Sequence, residues 1–543
     1  MDLRQALPLT VLFMVSAAPI SISAQEYVMV DIDAGTLRGQ IRTTYTNKTM
    51  YSFEGIPYAE SPVDNLRFQP PVTKGEWSGV RDALQPGSAC PQLVNGAASG
   101  SEDCLYLNVH SPSLTSSNGT LKAVIVWIHG GCFLRGRSDT WTPHFFVDND
   151  VVFVSINYRL GLLGFLSTSD DVVPGNMGLK DQTEALRWVQ RNIEVFGGDP
   201  ERVTLLGHSA GAASAHYHIL SPLSNGLYRS AISMSGSVLC PWAFSKNATD
   251  RALRFAQYLG YTAKNSSDLV DFLKTVDANI LVKDVHKALS DEDALSLTTC
   301  VWVPSVEPEH ESAFLVEDPH LMVQEGRYNF VPYVTGSTDL EQLSQTQPGG
   351  QLSTEEQVSK LSQSFDETIA CDLRLPTREE QLGAAQSIKQ FYYNDSDITL
   401  QKNYTTALLS SHLFFVEGVD AAIRNMAQYS SEPLYYYQFA YNGPTTQFPG
   451  GPGAAHDDTV AILFTTKTPD ADPDGIMIRD QMIEMFANFA KYDNPTPEDA
   501  SNLTETWLTY SASSPFYLKI TSPLSTATNM DEPYMSFWHD LLS

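Results

Sequence analysis

The stretch "ERVTLLGHSAG", residues 201–211, sets a serine between two glycines directly behind an apolar run that includes the β-branched Val203 and Thr204. The run predicts a strand, and the alanine-rich residues after it predict a helix. A strand ending at Gly207 and a helix starting near Ala212 force a very tight turn at Ser209, and the flanking glycines relieve the backbone crowding there. A serine at such a turn is thrust up at the carboxyl end of the sheet, where a reactive hydroxyl is accessible. Three fixed positions of this kind arise by chance roughly 0.2 times in a chain of this length, so the pattern alone is weak. The strand before it and the helix after it are what make Ser209 a candidate nucleophile.

Working outward, "KAVIVWIHGG" (122–131) and "VVFVSINYR" (151–159) are also apolar and β-branched, as expected of strands buried on both faces. Between the second of these and 201–211, Leu186, Val189, Ile193 and Phe196 recur at helical spacing, and Gly197 and Gly198 end the helix. Strand, helix and strand in that order are most simply a right-handed parallel crossover. The fold class is therefore α/β, with a central, mostly parallel sheet flanked by helices. Residues 245–325 are more helical and acidic and read as an insertion, before further strand candidates at 330–336 and 433–441. No Pro/Gly/Ser-rich linker divides the chain, so residues 25–543 are read as one domain.

A hydroxyl is a poor nucleophile until a base takes its proton. Of twelve histidines, His456 lies in "GPGAAHDDTVAILF", a Gly/Ala loop that can reach over the sheet. His412 and His539 read as structural, and His208 as pointing away from Ser209, because neighbouring side chains diverge at a sharp turn. An acid must orient the imidazole. Glu341, just beyond the strand candidate at 330–336, is the choice, with Asp339 as runner-up. The developing oxyanion needs fixed donors. The glycine-rich turn in "WIHGGCF" (127–133) offers the N–H groups of Gly131 and Cys132, and Ala210 follows the nucleophile.

Thirty-four basic against sixty-three acidic side chains give a formal charge of −29, which opposes binding to nucleic acid or anionic lipid. The opening residues carry an apolar stretch from Leu7 to Val15 and then small residues, which predicts a signal peptide over 1–24 and a secreted, extracellular product. A membrane anchor, which needs about twenty apolar residues in a row, is not expected. Seven glycosylation sequons, at Asn47, Asn118, Asn247, Asn265, Asn394, Asn403 and Asn502, agree with that route. Six cysteines suit one or two disulfides. Cys90 and Cys104, bracketing a short loop, are the expected pair; Cys240, Cys300 and Cys371 stay unassigned.

Several stretches together resemble the type-B carboxylesterase and cholinesterase family of α/β-hydrolases: "FEGIPYAESP", "SEDCLYLNVHSP", "YRLGLLGFLS", "GNMGLKDQ", "FGGDPERVTLLGHSAG", "SMSGS" and "HDD". The resemblance runs from about residue 27 to 538, and "SGSVLCPWA" and "VPSVEPEHESAFLVEDP" are most similar to secreted insect esterases. It implies an α/β-hydrolase fold with helical insertions. It also implies a triad of Ser209, His456 and Glu341, a Cys90–Cys104 bridge, structural ion pairs Arg67–Glu102 and Arg159–Asp181, and Trp242 lining the acyl side of the substrate pocket.

Departures from the family are informative. The residues between Cys90 and Cys104 include no aromatic on which a choline cation could lie, which argues against acetylcholine. Juvenile-hormone esterases usually carry Gln where His208 stands. Cys132 occupies a position where relatives mostly have Gly or Ala, which puts a thiol beside the oxyanion hole.

The expected function is hydrolysis of small to medium apolar carboxylic esters through an acyl-enzyme, with a small-molecule ester as partner and no metal or organic cofactor. Nothing in the sequence assigns an oligomeric state. The alternative is a noncatalytic or slow-turnover ester-binding member of the same fold.

Overall fold

Most runs that alternate or crowd β-branched and aromatic residues become strands, and a few short polar or small-residue segments pair beside them. In chain order these are β1 (Tyr27–Ile32), β2 (Gly35–Thr43), β3 (Thr49–Pro57), β4 (Val80–Asp82), β5 (Gln92–Val94), β6 (Ala97–Ser99), β7 (Tyr106–Ser111) and β8 (Lys122–Ile128). They continue as β9 (Val152–Ile156), β10 (Gly198–His208), β11 (Ser230–Met234), β12 (Tyr333–Thr338), β13 (Leu434–Phe439), β14 (Phe516–Ile520) and β15 (Ser525–Thr528). They belong to a computed structural model that describes residues 26–114, 119–298, 300–465, 472–501 and 503–542. The expected signal peptide over 1–24 and the sequons Asn118 and Asn502 lie outside the described residues.

One sheet runs in the order β1-β2-β3-β7-β9-β8-β10-β11-β12-β13-β14-β15, with β4 beside β2. From β9 to β14 every neighbouring pair is parallel. Antiparallel strands extend both ends. The expected crossover from 151–159 to 201–211 differs in one respect, because β8 sits between β9 and β10 and pairs in parallel with both. The helix Met177–Asn192 therefore passes over one strand.

The parallel strands are buried on both faces. In β8, Val124, Val126 and Ile128 face one apolar core while Ile125 and Trp127 face the other, and Leu205 and Leu206 divide in the same way in β10. β11 and β12 are direct neighbours although residues 235–332 intervene in the chain, so that helical stretch is an excursion returning to the same sheet edge. A second excursion, 339–433, separates β12 from β13.

One helix among the described residues, Leu400–Tyr429, is long and apolar enough to cross a membrane by length and composition. Its most apolar window is 89% buried inside the protein, which makes it a core helix. Asn47, Asn247, Asn265 and Asn394 are exposed, and Asn403 is half-buried.

The two ion pairs implied by the family resemblance are present. Arg159 grips Asp181 at 2.7 and 2.8 Å with both side chains buried. Arg67 meets Glu102 at 2.5 and 2.7 Å and also donates to the backbone carbonyl of Val276 at 2.6 Å.

Candidate active site

β10 ends at His208 and a helix spans Ala210–Leu220, which leaves Ser209 alone to make the turn. Its φ of 59° and ψ of −121° are costly for a residue with a Cβ. The surroundings hold it there. The Ser209 N–H donates to the Met234 carbonyl on β11 at 2.9 Å, and the Ser209 carbonyl accepts from Ala213 N–H at 3.0 Å. The two glycines are needed for close approach, since a Cβ on Gly207 would stand 2.0 Å from the Gly211 carbonyl oxygen, and one on Gly211 2.0 Å from that of Ile128. Ser209 is itself half-buried.

Glu341 follows β12 in a turn and is fully buried. One carboxylate oxygen accepts from Thr338 N–H at 2.7 Å, and the other lies 2.5 Å from His456 Nδ1. A backbone bond from His456 N–H to the Glu341 carbonyl at 3.2 Å joins the two segments again. Burial works against charge on the His456 ring, but the charge and hydrogen bond of Glu341, helped by Asp457, outweigh it and hold the imidazole above its ordinary value. Asp339 is engaged elsewhere, accepting from Ala454 N–H at 2.7 Å, and burial pushes its carboxyl up to about 7.

His208, expected to point away from Ser209, packs against the His456 loop. Its Nε2–H donates to the His456 backbone carbonyl at 3.0 Å, and the two rings lie 4.6 Å apart. The reason is that the His456 loop comes down beside the elbow and covers the side of the turn to which residue 208 is directed. Burial pushes His208 down to about 4, so it is neutral near neutral pH.

The turn after β8 packs onto the elbow: a Cβ on Gly130 would stand 2.8 Å from Ser209 Cβ. His129 braces this turn through a ring stacked on Tyr158 at 4.4 Å and a 2.9 Å bond from Nδ1–H to the Gly130 carbonyl. Gly131, Cys132 and Phe133 all have positive φ, at 108°, 59° and 56°. Among the described residues, the N–H groups of Gly131, Cys132 and Ala210 donate to no backbone carbonyl, which leaves them available to an anion.

The cysteines require one correction. Cys90 and Cys104 are bonded as expected, but Cys132 carries no thiol beside the turn, being bonded to Cys300. The excursion 235–332 brings their Cα atoms to 5.4 Å, within bonding range. Cys240 and Cys371 are free.

Trp242 is buried in the turn Pro241–Ala243, and its Nε1–H donates to the Phe414 carbonyl at 2.7 Å. That carbonyl is displayed where the core helix widens into a π turn over His412–Val416, a local geometry common at functional sites. The same turn aims Phe415, whose ring lies 5.4 Å from that of Trp242 and 4.5 Å from that of His456. On this side a cavity of about 590 Å³ is lined by Trp242, Phe244, Cys300 and Arg374 among others.

His208, His456 and Asp457 bring possible ligand atoms within 4.8 Å of one another. Each imidazole already commits one nitrogen to a hydrogen bond, His456 to Glu341 and His208 to the His456 carbonyl.

Sequence reasoning missed His208, Phe415 and Cys300 as parts of this neighbourhood. Adjacency to Ser209 was the available signal for the first, and the four cysteines left over from the first bridge for the third. Phe415 carries no local signal, because a π turn cannot be read from helical spacing.

The model of the carboxylesterase family matches residues 26–538. Esterase FE4 of Myzus persicae is 34% identical over 516 residues, covering 92% of this chain and 89% of its own. Venom carboxylesterase-6 of Apis mellifera is 32% identical, with 86% of each chain covered. The juvenile hormone esterase of Tribolium castaneum is 32% identical over 86% of this chain and 84% of its own.

Proposed function

Because the chain belongs to the carboxylesterase family and is a carboxylic ester hydrolase, we propose that it works through an acyl-enzyme on Ser209, with His456 as base and Glu341 as its orienting acid. The observation that carries this reading is the 2.5 Å contact between His456 Nδ1 and Glu341 on a loop hydrogen-bonded to the residue before Ser209. With Nδ1–H given to Glu341, the imidazole keeps Nε2 unprotonated and able to accept the serine proton.

Attack of the Ser209 oxygen on the ester carbonyl places negative charge on the carbonyl oxygen. The N–H groups of Gly131, Cys132 and Ala210 are the donors that meet it. His456, now an imidazolium steadied by Glu341, passes its proton to the departing alcohol. Water repeats the cycle on the acyl-enzyme, with His456 again as base, and releases the acid.

The preferred substrates are small to medium esters with an apolar acyl group, supported by the aromatic wall of Trp242 and Phe415 beside His456. Secretion is part of the same proposal. It is supported by the apolar N-terminal stretch and the exposed sequons, and among the relatives by one named a venom carboxylesterase.

The test is release of nitrophenol from a short p-nitrophenyl ester by the native chain and by Ser209→Ala. The expected result is loss of nearly all turnover in the variant, together with covalent labelling of Ser209 by an organophosphonate ester in the native chain only. Equal release by both would leave no place for a Ser209 acyl-enzyme.

A further inference from the structure

The Cys132–Cys300 bond joins two places 168 residues apart in the chain. Cys132 belongs to the turn beside the elbow, where Gly131, Cys132 and Phe133 follow one another with positive φ. Glycine accepts that region freely; the two residues that carry a Cβ do not, and they relax from it unless neighbours hold them.

Phe133 has its own anchors. It is buried, its ring stands edge-on to Phe165 at 5.0 Å, and its carbonyl accepts from Gly161 N–H at 2.7 Å. Cys132 is only half-buried and is tied down through its sulfur. The far end of that tie is firm. Cys300 is buried and is followed by Val301 and Trp302, also buried. Arg251 donates to the Val301 carbonyl at 2.8 Å, and the Trp302 ring stands edge-on to Phe255 at 5.9 Å.

We propose that Cys300 is a positioning residue for the oxyanion hole, acting through its bond to Cys132 to keep the Gly131 and Cys132 N–H groups in their left-handed turn and aimed over Ser209. The inference rests on the reading of this turn as the oxyanion hole. Donors there gain strength as charge develops on the carbonyl oxygen, so a loosened turn costs turnover and leaves substrate binding nearly untouched. A bond that merely staples the fold would lower the melting temperature and spare kcat.

The experiment compares native chain, Cys300→Ala, the double variant Cys132→Gly/Cys300→Ala and Ser209→Ala on a p-nitrophenyl ester, well below each melting temperature. Cys300→Ala is expected to lose kcat by about tenfold to a hundredfold, with KM changed by less than about threefold. The double variant is expected to regain about tenfold over Cys300→Ala, because glycine adopts the required φ without a tether.

A Cys300→Ala variant within about twofold of native kcat overturns the proposal, as does a loss confined to KM or a double variant no faster than the single one. So does a non-reducing peptide map of the native chain in which both cysteines are free thiols, a result that needs no variant to fold. Undiminished turnover in Ser209→Ala overturns the underlying reading instead, which keeps the two failures apart.

Discussion

His208 Nε2 donates to the backbone carbonyl of His456 across 3.0 Å, so the residue preceding the proposed nucleophile holds the loop that carries the proposed base. The bond crosses 248 positions of sequence and fixes the main chain rather than the reacting ring. His208→Ala should therefore lower kcat by about fivefold to tenfold, the worth of one buried hydrogen bond, with little change in KM. Steady-state kinetics on a single short ester decides it. Since burial keeps His208 neutral down to about pH 4, its titration should be invisible between pH 5 and 9.

On the proposed mechanism, the acid side of the pH–rate profile should report His456. A base must be neutral to accept a proton, and this imidazole is held above its ordinary value, so activity should fall as pH drops through a midpoint above about 6.5. Glu341→Gln removes the charge responsible for the rise. The midpoint should then move to lower pH while kcat drops by about 10³- to 10⁴-fold, both readable from one series of profiles.

Asp339→Asn separates the two carboxylates. Asp339 bonds Ala454 N–H instead of the imidazole, so the variant should retain kcat within severalfold of native. Its effect should appear in stability. The folded carboxyl is raised to about 7 by burial, so it binds a proton that the unfolded chain has already released above pH 4. Folding therefore loses stability as pH climbs from about 4 to 7, and the asparagine variant should show a smaller fall in melting temperature over that range.

Trp242→Ala opens the wall that leads through Phe415 to His456. Hydrolysis of longer acyl chains should rise relative to acetate esters, measured as a ratio of kcat/KM values across a chain-length panel. Truncating this buried indole should also cost about 3–5 kcal/mol of stability, so the panel belongs at low temperature.

Arg159→Met should destabilise by about 3–5 kcal/mol, because Asp181 is left charged and unpaired among buried groups. Thermal unfolding reads this directly, and KM should stay unchanged in the molecules that remain folded.

Much of the sheet, and of the proposed site, is local in sequence, and that is why both could be read there. The β-branched run before Ser209, the Gly/Ala loop around His456 and the strand leading to Glu341 each declare their geometry within about a dozen residues. Contacts formed across long loops do not declare themselves. The bond from Cys132 to Cys300, the approach of His208 to the His456 carbonyl and the π turn that aims Phe415 depend on how the excursions fold back onto the sheet. Period and composition carry no record of that. The position of β8 between β9 and β10 was hidden for the same reason, since pairing partners are a property of the assembled sheet.

Ser209 directly follows β10 and Glu341 lies at the start of the second excursion, close to the end of β12, whereas Trp242, Cys300 and Phe415 stand farther along the two excursions. The proposed nucleophile thus sits on the sheet itself, while the aromatic wall is supplied by the excursions. On the proposed mechanism, substitutions at Trp242 or Phe415 retune which esters are admitted, whereas Cys300, bonded to Cys132, ties the first excursion back to the turn beside the elbow.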